Sequence, residues 1–257
     1  MKTFRGTIRR CETTIDMFLD PVSMELEPLD LEIRKIVTDS DLDGVVTAAI
    51  LRRWWEEAEI VFGHPGELRA GIFDDRIDQW TAICDLPSHP DCGLSIDHHQ
   101  SNRPKDLDSA MPVVIWRESP SAARIAFDLV SKRVDLSDLV DLLYWVDKLD
   151  SGGVSREEYL SEVPALWLSW AIDAGEGTAM MILESLQEGV PLDDILANPE
   201  IAPIVEDRRR QKNALYGEIR DRMRIVDRLA IVRMEGLGIR SNGYQVTAMA
   251  GDDCDAC

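Results

Sequence analysis

Short apolar stretches alternate with helical patterns along the first part of the chain. Strand candidates occupy residues 32–38, 60–63, 81–84, 94–96 and 112–116. Apolar positions recur at helical spacing over residues 45–59, 121–130 and 136–149. Strands that alternate with helices predict an α/β fold, built on a mostly parallel sheet with helices on both faces.

The last third of the chain is mostly helical. Helices are predicted over residues 179–187, 192–196 and 201–228, and strands over 229–234 and 239–250. The helix 201–228 contains the basic run 208–212, which a solvated helix face explains best, with a phosphate-backbone contact as the alternative. Trp167 and Trp170 are expected to pack in the core, and they are also the candidates for a dimer contact or substrate stacking.

The composition is that of an ordinary globular protein, with 45% hydrophobic and 30% charged residues among 257. No apolar run approaches the roughly 20 residues of a membrane span, and no secretory signal is recognisable. Five cysteines at irregular spacing predict reduced thiols in a cytoplasmic protein. The pair Cys254-x-x-Cys257 is interpreted as a frayed tail rather than as a metal site.

The chain is strongly acidic, with a formal net charge of −20. Such a surface repels long polyanions, so non-specific binding to duplex nucleic acid is disfavoured. Small phosphorylated molecules, or short strands held at a metal centre, remain compatible with this charge.

Acidic side chains follow three of the strand candidates directly. Asp39, Asp85 and Asp97 each come just after a short apolar stretch. Because the carboxyl ends of parallel strands meet at one edge of a sheet, where ligands collect, we expect these carboxylates to lie together there.

Two segments carry metal-binding chemistry. Asp39, Asp41 and Asp43 alternate after a strand, and the chain then turns into a helix at Gly44. An EF-hand is excluded, because a strand precedes the loop and its twelfth position is Ile50 instead of Glu. Further along, residues 97–99 read Asp-His-His, and adjacent histidines point in different directions, so that one can bind a metal while the other faces a phosphate. Together these ligands suffice for two divalent metals, the usual machinery for cleaving phosphate esters.

Four segments in this order resemble the motifs of the DHH (Asp-His-His) phosphoesterase superfamily, in its RecJ-like and nanoRNase-like branch. They are VTDSDLDGVVTAAIL (37–51), ICDLP (83–87), SIDHHQSN (95–102) and WVDKLDSGG (145–153). The resemblance implies a DHH domain over residues 1–195. Residues 196–257 would form a helical connector and a short C-terminal α/β remnant, because the glycine-rich substrate loop of the family's second domain is missing.

The resemblance also implies a set of metal ligands: Asp39, Asp41, Asp43, Asp85, His98 and Asp147. Asp85 would bridge the two ions and Asp147 would supply the last carboxylate. Asp150, also available, would then cap the helix or pair with Lys148. Two Mn²⁺ ions are expected, with Mg²⁺ or Co²⁺ as substitutes.

Three further residues would serve catalysis. His99 would contact the scissile phosphate, and Asp97 would orient the histidines. Arg103 is interpreted either as a bidentate phosphate ligand or as a surface salt-bridge residue.

The function implied is hydrolysis of phosphoester bonds in short oligonucleotides or nucleotides, by attack of a metal-bridging hydroxide. A pyrophosphatase or polyphosphatase is the alternative within the enzymes, and a catalytically idle nucleotide-binding scaffold is the alternative outside them. The expected partners are short nucleic acid or a small phosphorylated substrate, without a membrane, and a second copy of the chain in a homodimer.

Overall fold

A five-stranded parallel sheet forms the centre of the protein. The computed structural model describes residues 27–104, 112–238 and 243–254. The strands are β1 (Lys35–Thr38), β2 (Glu59–Phe62), β3 (Thr81–Cys84), β4 (Leu94–Asp97) and β5 (Val113–Trp116), in the order β2-β1-β3-β4-β5. All neighbouring pairs are parallel, so the predicted α/β class and its parallel sheet are confirmed.

Helices connect β1 to β2 and β2 to β3, and they make up most of the chain after β5. They are α1 (Leu42–Arg52), α2 (Pro65–Arg69), α3 (Ala122–Val130), α4 (Val140–Asp150), α5 (Arg156–Leu160), α6 (Pro164–Ile172), α7 (Glu176–Gln187), α8 (Leu192–Leu196), α9 (Ala202–Arg222) and α10 (Gly243–Ala250). Helix α1 ends earlier than the predicted residue 59. The indole N–H groups of Trp54 and Trp55 donate to the backbone carbonyls of Leu29 and Leu31, so both side chains are held against the segment that precedes β1.

The two faces of the sheet are covered unequally. On one face, Ile36 and Ile96 belong to the large core formed with the apolar faces of α1, α3, α4, α6 and α7. On the other face, Val37 and Ile83 pack in a small core with Leu68 of α2 and Phe73. Burial of both faces explains why the strand candidates are continuous apolar runs rather than alternating ones.

A smaller unit packs against α5, α6 and α9. After α9, the strands β6 (Arg224–Val226) and β7 (Leu229–Ile231) form an antiparallel hairpin, and α10 follows. Helix α9 therefore ends before the predicted residue 228, because Met223 takes an extended conformation and the hairpin begins.

The predicted strand over residues 239–250 is wrong where the structure describes it, since α10 covers Gly243–Ala250. Val246, Ala248 and Ala250 are all buried, and their spacing of two resembles a strand. Helix α10 packs against both α5 and α9, so its buried positions do not follow a single helical stripe.

None of the helices in the described part of the chain combines the length and apolarity needed to cross a membrane. Cys84, Cys92 and Cys254 are buried and unpaired. Cys11 and Cys257 lie outside the described residues, and so does half of the Cys254-x-x-Cys257 pair.

Candidate metal centre

The candidate site lies at the carboxyl edge of the sheet. Thr38 of β1 pairs with Cys84 of β3, and Cys84 pairs with Ile96 of β4. The residues that follow these three, Asp39, Asp85 and Asp97, therefore lie at the same level of this edge.

The start of α1 places the first acidic motif. Asp41 caps the helix by accepting a hydrogen bond from the Gly44 N–H at 2.9 Å. Gly44 is required by close approach, because a Cβ atom there would lie 2.2 Å from the carbonyl oxygen of Asp39. Asp39 is half-buried at the entry to this turn, and Asp43 is fully enclosed in the first turn of the helix.

The buried carboxylate of Asp43 lies at the N-terminus of a second helix. It accepts hydrogen bonds from the backbone N–H groups of Ala122 at 2.7 Å and Ala123 at 2.8 Å, which open α3. Free N–H groups at a helix N-terminus favour a negative charge. Asp43 is therefore fixed in orientation before any ion binds.

Asp85 has a backbone conformation that its residue type rarely adopts. Its φ of +56° lies in the left-handed region, while its N–H still bonds to the Ile96 carbonyl at 2.9 Å. Such conformations in residues other than glycine cluster at functional sites. The turn directs a side chain that is only 3% exposed toward His98 and His99.

His98 faces three carboxylates. Its Nδ1 atom lies 3.0 Å from the Ser119 carbonyl, which can only accept, so Nδ1 carries the proton. In the neutral ring Nε2 then presents a lone pair. Carboxylate oxygens nevertheless surround this atom, that of Asp150 at 3.2 Å and those of Asp43 and Asp85 at 3.6 Å each. Lone pairs that converge at such distances require a cation among them, either a proton or a metal ion. Nε2 of His98 and Oδ1 of Asp85 are buried, and neither finds a hydrogen-bond partner among the described residues, so both atoms are available to a metal ion.

Asp97 holds His99 in place. Its Oδ1 atom accepts from the backbone N–H groups of His98 and His99, at 2.7 and 3.0 Å, and from Nδ1 of His99 at 2.9 Å. This hydrogen bond raises the pKa of the His99 imidazole, whose side chain is 46% exposed. Asp97 thus orients the ring of His99, whereas the Ser119 carbonyl orients the ring of His98.

The carboxylates of the site destabilise each other's charged forms. Burial, followed by the charges of Asp150 and Asp41, raises the pKa of Asp43 well above its ordinary value. Burial and the neighbouring carboxylates, Asp43 first among them, do the same to Asp85, and burial raises the pKa of Asp150. A divalent cation would remove this repulsion.

The fourth motif contributes Asp150, not Asp147, to this cluster. Asp147 accepts hydrogen bonds from Ser121 Oγ at 2.6 Å and from Arg124 Nε at 2.9 Å, so its charge already has a partner. Asp150 neither caps the helix nor pairs with Lys148, since Lys148 forms an ion pair with Glu158. Two groups of possible ligands result among the described residues: Asp85, His98 and His99, and Asp43, His98 and Asp150.

Arg103 lies at the exposed rim. Its guanidinium stacks over the Trp116 ring at 5.0 Å, and the Trp116 indole donates to the His99 carbonyl at 2.9 Å. Among the described residues, none places a carboxylate within 4.0 Å of Arg103. The contact between Trp116 and His99 depends on how β5 lies beside β4, which spacing along the chain does not specify.

The overall fold resembles that of the pGpG-specific phosphodiesterase PggH from Vibrio cholerae. The two structures superpose with a TM-score of 0.69 at 24% sequence identity, over 86% of this chain and 75% of that one. The chain has the fold of this phosphodiesterase. No protein-family model and no curated protein matches the chain.

Two more solved structures are less similar. The exonuclease RecJ bound to manganese gives a TM-score of 0.47 at 15% identity, covering 78% of this chain and 69% of RecJ. An uncharacterized protein from Helicobacter pylori G27 gives a TM-score of 0.39 at 12% identity, covering 76% and 74%.

Proposed function

We propose that this chain is a metal-dependent phosphoester hydrolase of the DHH superfamily that acts on short oligonucleotides. The observation that carries the proposal is the lone pair of His98 Nε2, which faces the carboxylates of Asp43, Asp85 and Asp150 without a donor among them. Imidazole and carboxylate together form a donor set that suits Mn²⁺, which is the ion we propose.

The ligands proposed for two ions are Asp39, Asp41, Asp43, Asp85, His98 and Asp150. Asp150 takes the place that the sequence motif alone assigned to Asp147, because Asp147 is neutralised by Arg124. When bound, the ions would lower the pKa of a water molecule to generate the nucleophile and would stabilise charge on the phosphoryl group.

The protein's own groups would position the scissile phosphate. His99 has its Nδ1–H held by Asp97, which leaves Nε2 directed away from Asp97 as the atom that meets a phosphoryl oxygen. The raised pKa of His99 favours the protonated ring, which both attracts the phosphate and can donate a proton to it. Arg103, held over Trp116, would add a bidentate contact at the rim.

The proposed substrate class is a short 5′-phosphorylated oligonucleotide, down to a dinucleotide. PggH, which shares the fold, is named for its action on pGpG. The net charge of −20 also favours a short substrate, since a long strand would be repelled by the rest of the surface.

Product release tests the proposal directly. The full chain with Mn²⁺ is incubated with pGpG, short RNA, short DNA, cyclic dinucleotides, pyrophosphate and polyphosphate, and the products are separated by anion exchange. We expect mononucleotides from pGpG and from the short strands. Phosphate release from pyrophosphate or polyphosphate alone would establish the alternative hydrolase. No turnover of any compound, with metal bound, would contradict the proposal and favour an idle scaffold.

A further inference from the structure

A cavity of about 690 Å³ lies between α6, α9 and the C-terminal segment. Its polar lining comes from Asp173, Arg208, Gln211, Lys212, Glu218 and Gln245, and Trp170 adds an aromatic wall. The volume falls within the roughly 300–1,000 Å³ typical of small-molecule sites. None of these residues belongs to the four sequence motifs.

Lys212 is the unusual group in this cavity, because its side chain is only 7% exposed. Its Nζ lies 4.7 Å from the Trp167 ring centroid, 5.4 Å from that of Trp170 and 5.5 Å from that of Tyr216. The one carboxylate within 4.0 Å among the described residues is that of Glu162, at that limit. A buried ammonium that is held by aromatic rings and only one carboxylate at 4.0 Å can still bind an anion.

Arg208 adds a second cation one helical turn before Lys212. Its guanidinium donates to the Asp173 carbonyl at 3.0 Å and to Gln211 Oε1 at 3.2 Å, which fixes it in place. The carboxylates of Asp173 and Glu218 also line the cavity, so the lining is not uniformly basic. These groups match the parts of a nucleotide. The two cations suit its phosphate, the two carboxylates suit the donors of its ribose and base, and the indole suits its aromatic ring. An inorganic anion would use only the cations.

One wall of the cavity reaches the segment that follows Asp150. Gln245 of α10 lines the cavity, and the hydroxyl oxygen of the preceding Tyr244 lies 3.3 Å from the position that a Cβ atom would take at Gly152. Gly152 comes two residues after the proposed metal ligand Asp150, so a molecule held at α9 can extend toward that side of the proposed metal centre.

We propose that this cavity binds the 5′-terminal nucleotide of the substrate, with its phosphate at Lys212 and Arg208 and its base against Trp170. The inference rests on the proposed function for the identity of the substrate. It gives the basic run on α9 a role for two of its members, Arg208 and Lys212. The exposed Arg210, which pairs with Asp207 at 3.0 Å, serves as a matched control.

Selectivity for the terminal phosphate is the decisive measurement. The ratio of kcat/KM for pGpG to that for GpG is compared among the wild type, Lys212→Met, Arg208→Gln and the control Arg210→Gln. Loss of one charge-assisted contact is expected to lower this ratio about 10- to 100-fold in the first two variants. Arg210→Gln is expected to retain the wild-type ratio. An unchanged ratio in Lys212→Met, or equal loss on both substrates, would overturn the inference.

Binding of GMP separates this inference from the proposed function. Calorimetric titration of the full chain in EDTA uses no turnover and no metal. We expect GMP to bind the wild type and Arg210→Gln alike, and Lys212→Met at least about tenfold more weakly. If the wild type hydrolyses nothing yet binds GMP through Lys212, the hydrolase proposal fails and the cavity assignment stands. Absence of GMP binding, or binding indifferent to Lys212, would overturn the cavity assignment alone.

Discussion

Buried charges are handled in opposite ways at the carboxyl edge of the sheet and in the cavity on α9. At the sheet edge, Asp43, Asp85 and Asp150 converge on His98, and no lysine or arginine of the described residues lies within 4.0 Å of them. On α9, Lys212 is surrounded by aromatic rings. The first arrangement is unfavourable until a cation arrives, whereas the second is tolerated by the protein and improved by an anion. This difference is the basis for proposing a metal ion in the acidic region and a phosphate in the α9 cavity.

Removal of the central carboxylate should have the largest effect. Asp85→Asn removes a proposed ligand to both ions, while asparagine tolerates the positive φ at this position. We expect kcat with Mn²⁺ to fall by about a thousandfold or more, equivalent to about 4 kcal/mol of transition-state stabilisation. His98→Ala should behave likewise. Unaltered circular dichroism would show that the fold is intact, and wild-type rates in either variant would refute the site.

Substitutions of the two aspartates of the fourth motif should affect different properties, metal binding for one and fold stability for the other. Asp150→Asn is expected to weaken Mn²⁺ binding and kcat/KM by about 10- to 100-fold or more, with little change in unfolding free energy in EDTA. Asp147→Asn is expected to lose about 1–2 kcal/mol of unfolding free energy, since Ser121 and the half-solvated Arg124 lose a charged acceptor. Calorimetric metal titration and denaturant unfolding of both variants measure these effects. Equal loss of metal affinity in both would restore Asp147 as a ligand.

The repulsion among the buried carboxylates at the sheet edge also predicts how the unfolding free energy depends on pH. Because the pKa values of Asp43, Asp85 and Asp150 are raised, the folded metal-free chain binds protons more tightly than the unfolded chain. Its unfolding free energy should therefore fall as the pH rises above the ordinary aspartate value of 3.8 and through the raised values. Stabilisation by Mn²⁺ should grow over the same range, because metal competes with protons.

Thermal unfolding in EDTA and in Mn²⁺, from about pH 5 to about pH 8, measures this dependence. Asp85→Asn serves as the control, since it removes one of the titrating carboxylates and should flatten both trends. An equal shift of Tm by Mn²⁺ at every pH would contradict the argument.

The smallest effect is expected at the rim of the metal centre. Arg103→Gln should raise KM for pGpG by about three- to tenfold with little change in kcat, since an exposed arginine contributes to binding more than to the chemical step. Steady-state kinetics on pGpG measure the change. An unaltered KM would return Arg103 to the alternative interpretation of a surface residue.

Local patterns predicted most of the sheet, because each of its strands contains a short apolar run. They predicted the C-terminal segment less well, where the buried positions of α10 repeat every two residues and resemble a strand. Around the acidic cluster, the motifs identified Asp43, Asp85 and His98 as close neighbours, which the sheet register explains.

The sequence by itself determined the parallel α/β fold and the residue types of a candidate metal centre, since both depend on short-range pattern and spacing. Only the tertiary structure placed Asp150 beside His98 and paired Asp147 with Arg124 and Ser121, because these partners come from other parts of the chain. Only the tertiary structure formed the cavity, because Trp170 on α6 and Lys212 on α9 are far apart in sequence. The physical reason is the same in both cases: a charge is defined by the groups that surround it after packing, and sequence spacing does not specify them.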